Sequence, residues 1–130
     1  MVSRRKKRYI ELCKRVAENS ESSDYRHGAV LVKGSTVLNV ANNKNVHARF
    51  GKRFRKRDCG HATHHAELGC ILGLDKSKTS GATVYVVRVN KQGVYRLSKP
   101  CPMCHEILKF CGVRKVVYTA GDDELRCYKI

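Results

Sequence analysis

The chain has no tryptophan, two prolines, three phenylalanines, and 11 acidic residues against 27 lysines and arginines in 130 residues. No window approaches the roughly 20 apolar residues of a membrane-spanning helix. The basic start, Met1-Val2-Ser3-Arg4-Arg5-Lys6-Lys7-Arg8, is followed by no apolar run, so it does not read as a secretory signal. It reads either as a solvated helix face or as a nuclear localisation patch. There is no internal repeat and no low-complexity segment beyond the basic runs. The seven cysteines are odd in number and offer one tight spacing, Cys101-x-x-Cys104. That excludes a dense disulfide framework and favours reduced thiols in the cytoplasm, with the nucleus as the alternative.

The shortage of acid leaves a formal charge of +16. A field of that sign attracts polyanions, so the expected partner bears phosphate. Charge alone does not separate a nucleotide from a single-stranded nucleic acid. Hydrophobic residues make up 42%, enough for one core, and the length fits a single domain over 1–130.

Periodicity predicts a helix over Arg4–Glu18, with Ser3 as its N-cap and Tyr9, Cys13, Val16 and Ala17 on one face. His27–Val32 and Val37–Ala41 read as a hairpin around Lys33–Thr36. Asn42–His64 reads as a long loop, and His65–Leu72 as a helix. Lys76–Gly81 reads as a loop and Ala82–Val89 as a strand, with Val94–Leu97 returning. Pro102 suits the first turn of a helix that ends at Gly112. Val113–Tyr118 is a strand, and Glu124–Ile130 a last short one after a tight turn. The order predicts a three-layer α/β/α domain with a mixed sheet.

The chemistry gathers in two short stretches, His64-His65-Ala66-Glu67 and Pro100-Cys101-Pro102-Met103-Cys104. His65, Cys101 and Cys104 supply one imidazole and two thiols, a set that suits Zn2+. Three protein ligands leave a fourth position for water, as in catalytic rather than structural zinc sites. Both thiols lie at a helix start, where the thiolate is favoured. Glu67 is placed to move protons between that water, the substrate ring and the leaving amine. Alone, His65 would read as a half-buried histidine and Glu67 as a first-turn acid; together with the two cysteines they read as a nucleobase deaminase.

These two motifs resemble the cytidine/deoxycytidylate deaminase superfamily, and the likeness runs from Gly28 to Tyr118. The resemblance implies a cytidine-deaminase-like fold with a five-stranded sheet, zinc at the starts of two helices, and a homo-oligomer. It also implies a substrate-contacting asparagine after the second strand, for which Asn43 is the nearest match, the alternative being a turn asparagine. Ala66 is the candidate to hold the base carbonyl through its N–H. His64 either donates to the base or caps the helix.

Lys44, Arg49, Lys52, Arg53, Arg55, Lys56 and Arg57, with Phe50 and Phe54 between them, form a basic loop before the zinc helix. Arg53 and Arg55 are candidates to grip phosphate; otherwise the loop is a solvated charged face. Cys59, His61 and His64 are a candidate second metal site. Two features bear on subgroup. His65 stands where free-nucleoside cytidine deaminases place cysteine, whereas an antiparallel last strand is the pattern of the small tetrameric enzymes. The expected activity is conversion of cytosine to uracil on a dCMP-like nucleotide. The alternatives are deamination of cytosine or adenine in single-stranded DNA or RNA, and a non-catalytic zinc module that binds nucleic acid.

Overall fold

The structure, a computed structural model, describes residues 4–20, 26–47, 63–71, 73–121 and 124–130. Helix α1 spans Arg4–Glu18, as its periodicity predicts. Strands β1 (Arg26–Lys33) and β2 (Thr36–Asn42) form the expected hairpin. Two short strands come next, β3 (Lys44–His47) and β4 (Thr63–His64), and then helix α2 (Ala66–Ile71). A four-residue helix, α3 (Lys76–Thr79), precedes β5 (Thr83–Val89) and β6 (Tyr95–Arg96). Helix α4 (Pro102–Phe110) and strands β7 (Lys115–Gly121) and β8 (Glu124–Lys129) complete the domain.

The main sheet runs β2-β1-β5-β7-β8, with β6 attached to β5 as a sixth strand. Among the described residues only the β5–β7 pair is parallel; the other pairings are antiparallel, which makes the sheet mixed. A parallel neighbour requires a crossover, and α4 lies in the connection between β5 and β7.

The two faces of the sheet arise from alternation along the strands. Val30, Val32, Tyr85, Val87, Val89 and Val117 face α1 and pack on Tyr9, Ile10, Cys13 and Ala17. Ala29, Leu31, Val84, Val86, Val116 and Tyr118 face the other way, against Ala66 and Cys70 of α2 and Met103, Ile107 and Leu108 of α4. The result is a helix layer, a sheet, and a second helix layer that carries both chemical motifs.

The structure corrects two loop expectations. The ends of the 42–64 segment are strands, since Lys44 pairs with His64 and His47 with Thr63. Asn-Val-His carries no apolar alternation, so this pairing rests on backbone hydrogen bonds that patterning does not reveal. Likewise Lys76–Thr79 forms one helical turn, too short to leave a period in the sequence. Ser3 lies outside the described residues. No helix among the described residues is long and apolar enough to cross a membrane.

Candidate active site

The second helix layer brings the two motifs together. His65 immediately precedes α2, and its carbonyl accepts the Gly69 N–H at 3.0 Å. Helix α2 is held tightly to the sheet. An added Cβ on Gly69 would stand 2.8 Å from the Ala41 Cβ, so only glycine lets the helix approach β2 this closely. Asn39 Nδ2 donates to the Cys70 carbonyl at 3.1 Å, securing an end of the helix that has no intrahelical partner. Cys101 is the N-cap of α4 and Pro102 its first residue. The Cys101 carbonyl accepts the His105 N–H at 2.9 Å, which places Cys104 one turn along.

A small buried network sets the entry to α4. Strand β7 covers β5 over Thr83–Val86, and β6 covers it at Arg88–Val89. Ser98 closes the junction between them. Its Oγ accepts the Thr119 N–H at 2.8 Å and lies 2.8 Å from both Val86 O and Thr119 Oγ1. Its N–H donates to Thr119 O at 2.8 Å, and the Thr119 hydroxyl donates to Arg96 O at 2.6 Å. Both side chains are buried. The segment that leads into Cys101 is thus tied to both parallel strands at and just beyond their last mutual pair, Val86 with Tyr118, near the strand ends where open α/β sheets bind ligands.

Among the described residues, His65, Cys101 and Cys104 form the one cluster able to hold a metal ion, their ligand atoms within 4.8 Å of one another. His65 Nδ1 lies 3.2 Å from Cys104 Sγ and 3.7 Å from Cys101 Sγ. Zinc bonds of about 2.3 Å to sulfur and 2.0–2.1 Å to nitrogen put tetrahedral N and S ligands about 3.5 Å apart. The donor set and its spacing fit Zn2+. No fourth His, Cys, Asp or Glu joins the cluster among the described residues.

The two thiols are coupled through a shared hydrogen bond. The Cys101 thiol is held down, to about 3, chiefly by its hydrogen bond with the Cys104 side chain, with His65 adding to the effect. Cys104 is raised by the same bond and by burial. Of the two, Cys101 is the thiol driven toward the thiolate. The hydrogen bond with that thiolate is also the first cause of the raised His65 imidazole, although Cys104 Sγ is the nearer sulfur. Glu67 is 5% exposed, and burial raises its carboxyl above the usual range. An upward shift of this kind suits a carboxyl that must both take up and give back a proton.

Ala66 is fully buried as the first residue of α2, a position whose N–H has no acceptor within the helix. Asn43 comes directly after β2. Its Oδ1 accepts the His27 N–H at 2.9 Å and the Ser20 hydroxyl at 2.5 Å, and its own N–H donates to His27 O at 3.3 Å. The backbone of His64 pairs with Lys44, one residue beyond Asn43. Arg53, Arg55, Phe50, Phe54, Cys59 and His61 lie outside the described residues, as does the side chain of His64.

Sequence reasoning missed the neighbours supplied by β8. Tyr128 OH lies 3.3 Å from His105 Nδ1, with ring centroids 5.7 Å apart, and Tyr118 meets the Tyr128 ring edge-on at 6.1 Å. The phenol is pushed up to about 12, first by burial and then by the charge of Glu67. An aromatic residue on the face opposite Leu125 and Cys127 in a short terminal strand was the only available signal.

Residues 3–120 match the family described as the cytidine and deoxycytidylate deaminase zinc-binding region. The chain belongs to that family. The deaminase fold is shared with the dCMP deaminase of cyanophage S-TIM5. In its apo form that structure is 19% identical with a TM-score of 0.61, over 95% of this chain and 88% of that one. The same enzyme in complex with dCMP and dUMP is 20% identical with a TM-score of 0.59, over 92% of this chain and 84% of that one. A search of curated proteins finds no sequence match for this deaminase.

Proposed function

We propose that this deaminase converts cytosine to uracil by zinc-dependent hydrolysis, on a cytidine or deoxycytidine nucleotide of the dCMP type. The observation that carries the reading is the meeting of His65 Nδ1, Cys101 Sγ and Cys104 Sγ beside a buried carboxyl, two residues along from the histidine. In this reading the imidazole and the two thiolates hold the metal, which when bound supplies Lewis-acid activation of the attacking water. Glu67 accepts a proton as water adds to C4, passes it to the ring nitrogen, and assists the exocyclic amine to leave as ammonia. The raised carboxyl suits both halves of that task. The Ala66 N–H holds the base carbonyl. Asn43, through its amide, and His64 orient the nucleoside.

The charge of +16 favours a second reading, in which the same cytosine is presented by single-stranded DNA or RNA. The zinc-loaded chain and its Glu67→Gln variant are assayed on dCMP, cytidine and a cytosine-bearing oligonucleotide at two salt concentrations. The nucleotide reading expects turnover of dCMP that falls about 10²- to 10⁴-fold in the variant. Turnover of the oligonucleotide alone, falling steeply with salt, replaces it with the single-strand reading. Equal turnover by Glu67→Gln refutes the catalytic role of that residue.

A further inference from the structure

A cleft of about 650 Å³ opens between α4 and β7–β8, lined by Lys99, Pro102, His105, Glu106, Tyr118 and Tyr128 among others. Its position is set by the zinc motif. Pro102 is next to Cys101, His105 is next to Cys104, and Lys99 lies two residues before Cys101, so their Cα atoms are at most about 7 Å apart. The cleft therefore shares the Lys99–Glu106 segment with the two candidate thiol ligands, although neither thiol lines it. Its wall carries one exposed ammonium, whose Nζ lies 5.8 Å from the Tyr128 ring centroid, and the Tyr128–His105 hydrogen-bonding pair. Tyr118 braces the Tyr128 ring from its edge. Glu106 adds one carboxylate, which disfavours an anion on its own side and leaves the Lys99–Tyr128 side as the anion-compatible one.

We infer that this cleft receives the phosphate-bearing flank of the substrate nucleotide, with Lys99 pairing the phosphate and the Tyr128 hydroxyl donating to it. The inference rests on the reading that the target base lies at His65 and Glu67. A nucleotide carries its phosphate at a distance from the reacting ring, so recognition needs a cation beside the centre rather than in it. Lys99 meets that need on a flexible stem, and the Tyr128 ring supplies a flat apolar wall for the sugar or for a stacked neighbouring base. The phosphate has two sources, the terminal phosphate of a mononucleotide or the internucleotide phosphate of a strand. The chemistry recognised is the same in both.

The test uses the zinc-loaded chain with deoxycytidine, dCMP and a dinucleotide carrying the same cytosine. The quantity read is kcat/KM on each phosphorylated substrate divided by that on deoxycytidine. Lys99→Gln is expected to lower that ratio about 10- to 100-fold, the scale of a lost charge-assisted hydrogen bond. Tyr128→Phe, which keeps the ring and removes the hydroxyl, should lower it about 5-fold. A fall with dCMP identifies the terminal phosphate, and a fall with the dinucleotide alone identifies the internucleotide one. Ratios unchanged in both variants on both substrates overturn the inference. If the wild-type chain deaminates nothing, titration calorimetry with dCMP and the dinucleotide still reads the cleft. Binding that weakens in Lys99→Gln then supports the cleft while the deaminase reading fails, and no dependence on Lys99 overturns the cleft.

Discussion

Replacing Gly28 by alanine should loosen the whole α1 layer, and the contacts at that residue set the size of the effect. A Cβ built there stands 2.3 Å from the Cys13 carbonyl oxygen, 2.8 Å from the Ala17 nitrogen and 3.2 Å from the Ala17 Cβ. The two shortest contacts are to helix backbone, so no side-chain rotation relieves them. Since ordinary contact begins near 3.4 Å, α1 must retreat by about 1 Å. A gap of that size forfeits a quarter to a half of the dispersion energy along the Tyr9, Ile10, Cys13 and Ala17 seam. Overpacking a well-filled site typically costs about 1–3 kcal/mol, and a clash against backbone belongs at the upper end. With a urea m-value of about 1–3 kcal/mol/M, the unfolding midpoint should fall by about 1–3 M. Gly34→Ala is the control: it has φ +64° but nothing within 4 Å, so it should lose only about 1 kcal/mol through backbone strain. The site feels the same change, because His27, next to Gly28, exchanges hydrogen bonds with Asn43. A Gly28→Ala midpoint within about 0.3 M of wild type would refute the close-packing argument.

Cys101→Ser and Cys104→Ser should each abolish stoichiometric zinc and lower the thermal midpoint by roughly 5 °C or more, because metal binding is coupled to folding. A chelator should bring the wild-type protein to a similar midpoint; one zinc per chain retained in either variant by elemental analysis would contradict the assignment. Ser98→Ala strands the buried Thr119 N–H and should cost about 1–3 kcal/mol. It should also weaken zinc binding measured by competition with a chromophoric chelator, since Ser98 ties down the approach to Cys101. An unaltered thermal midpoint would show that the network does not hold that segment.

The sheet, the long helices and the metal cluster were legible in the sequence because each is written locally. The alternation from Ala29 to Val32 assigns successive residues to opposite faces. His65-x-Glu67 and Cys101-x-x-Cys104 place their atoms by helical geometry within a few residues of one another. Ser98 could not be found this way. Its partners, Val86 and Thr119, lie 12 and 21 residues away, and their meeting depends on β6 giving way to β7 along one edge of β5. The β3–β4 pairing is hidden for a related reason. It has no apolar alternation to mark it, and its two strands are 15 or more residues apart in the chain.

The path of the chain after β7 decides which side chains stand beside the metal centre. A strand reached through a tight turn must return antiparallel, whereas a crossover helix would carry the chain away from α4. Here β8 returns antiparallel, pairing Val116 with Tyr128 and Tyr118 with Arg126. Side chains alternate along β8, so Tyr128 is set on the α4 side with Leu125 on the α1 side. That register brings Tyr128 to His105, one residue beyond Cys104. A one-residue slip would turn every β8 side chain over and present Cys127 to α4 instead. In the proposed function the chemistry of the centre depends on His65, Glu67, Cys101 and Cys104, while the character of the neighbouring cleft depends on the register of β8.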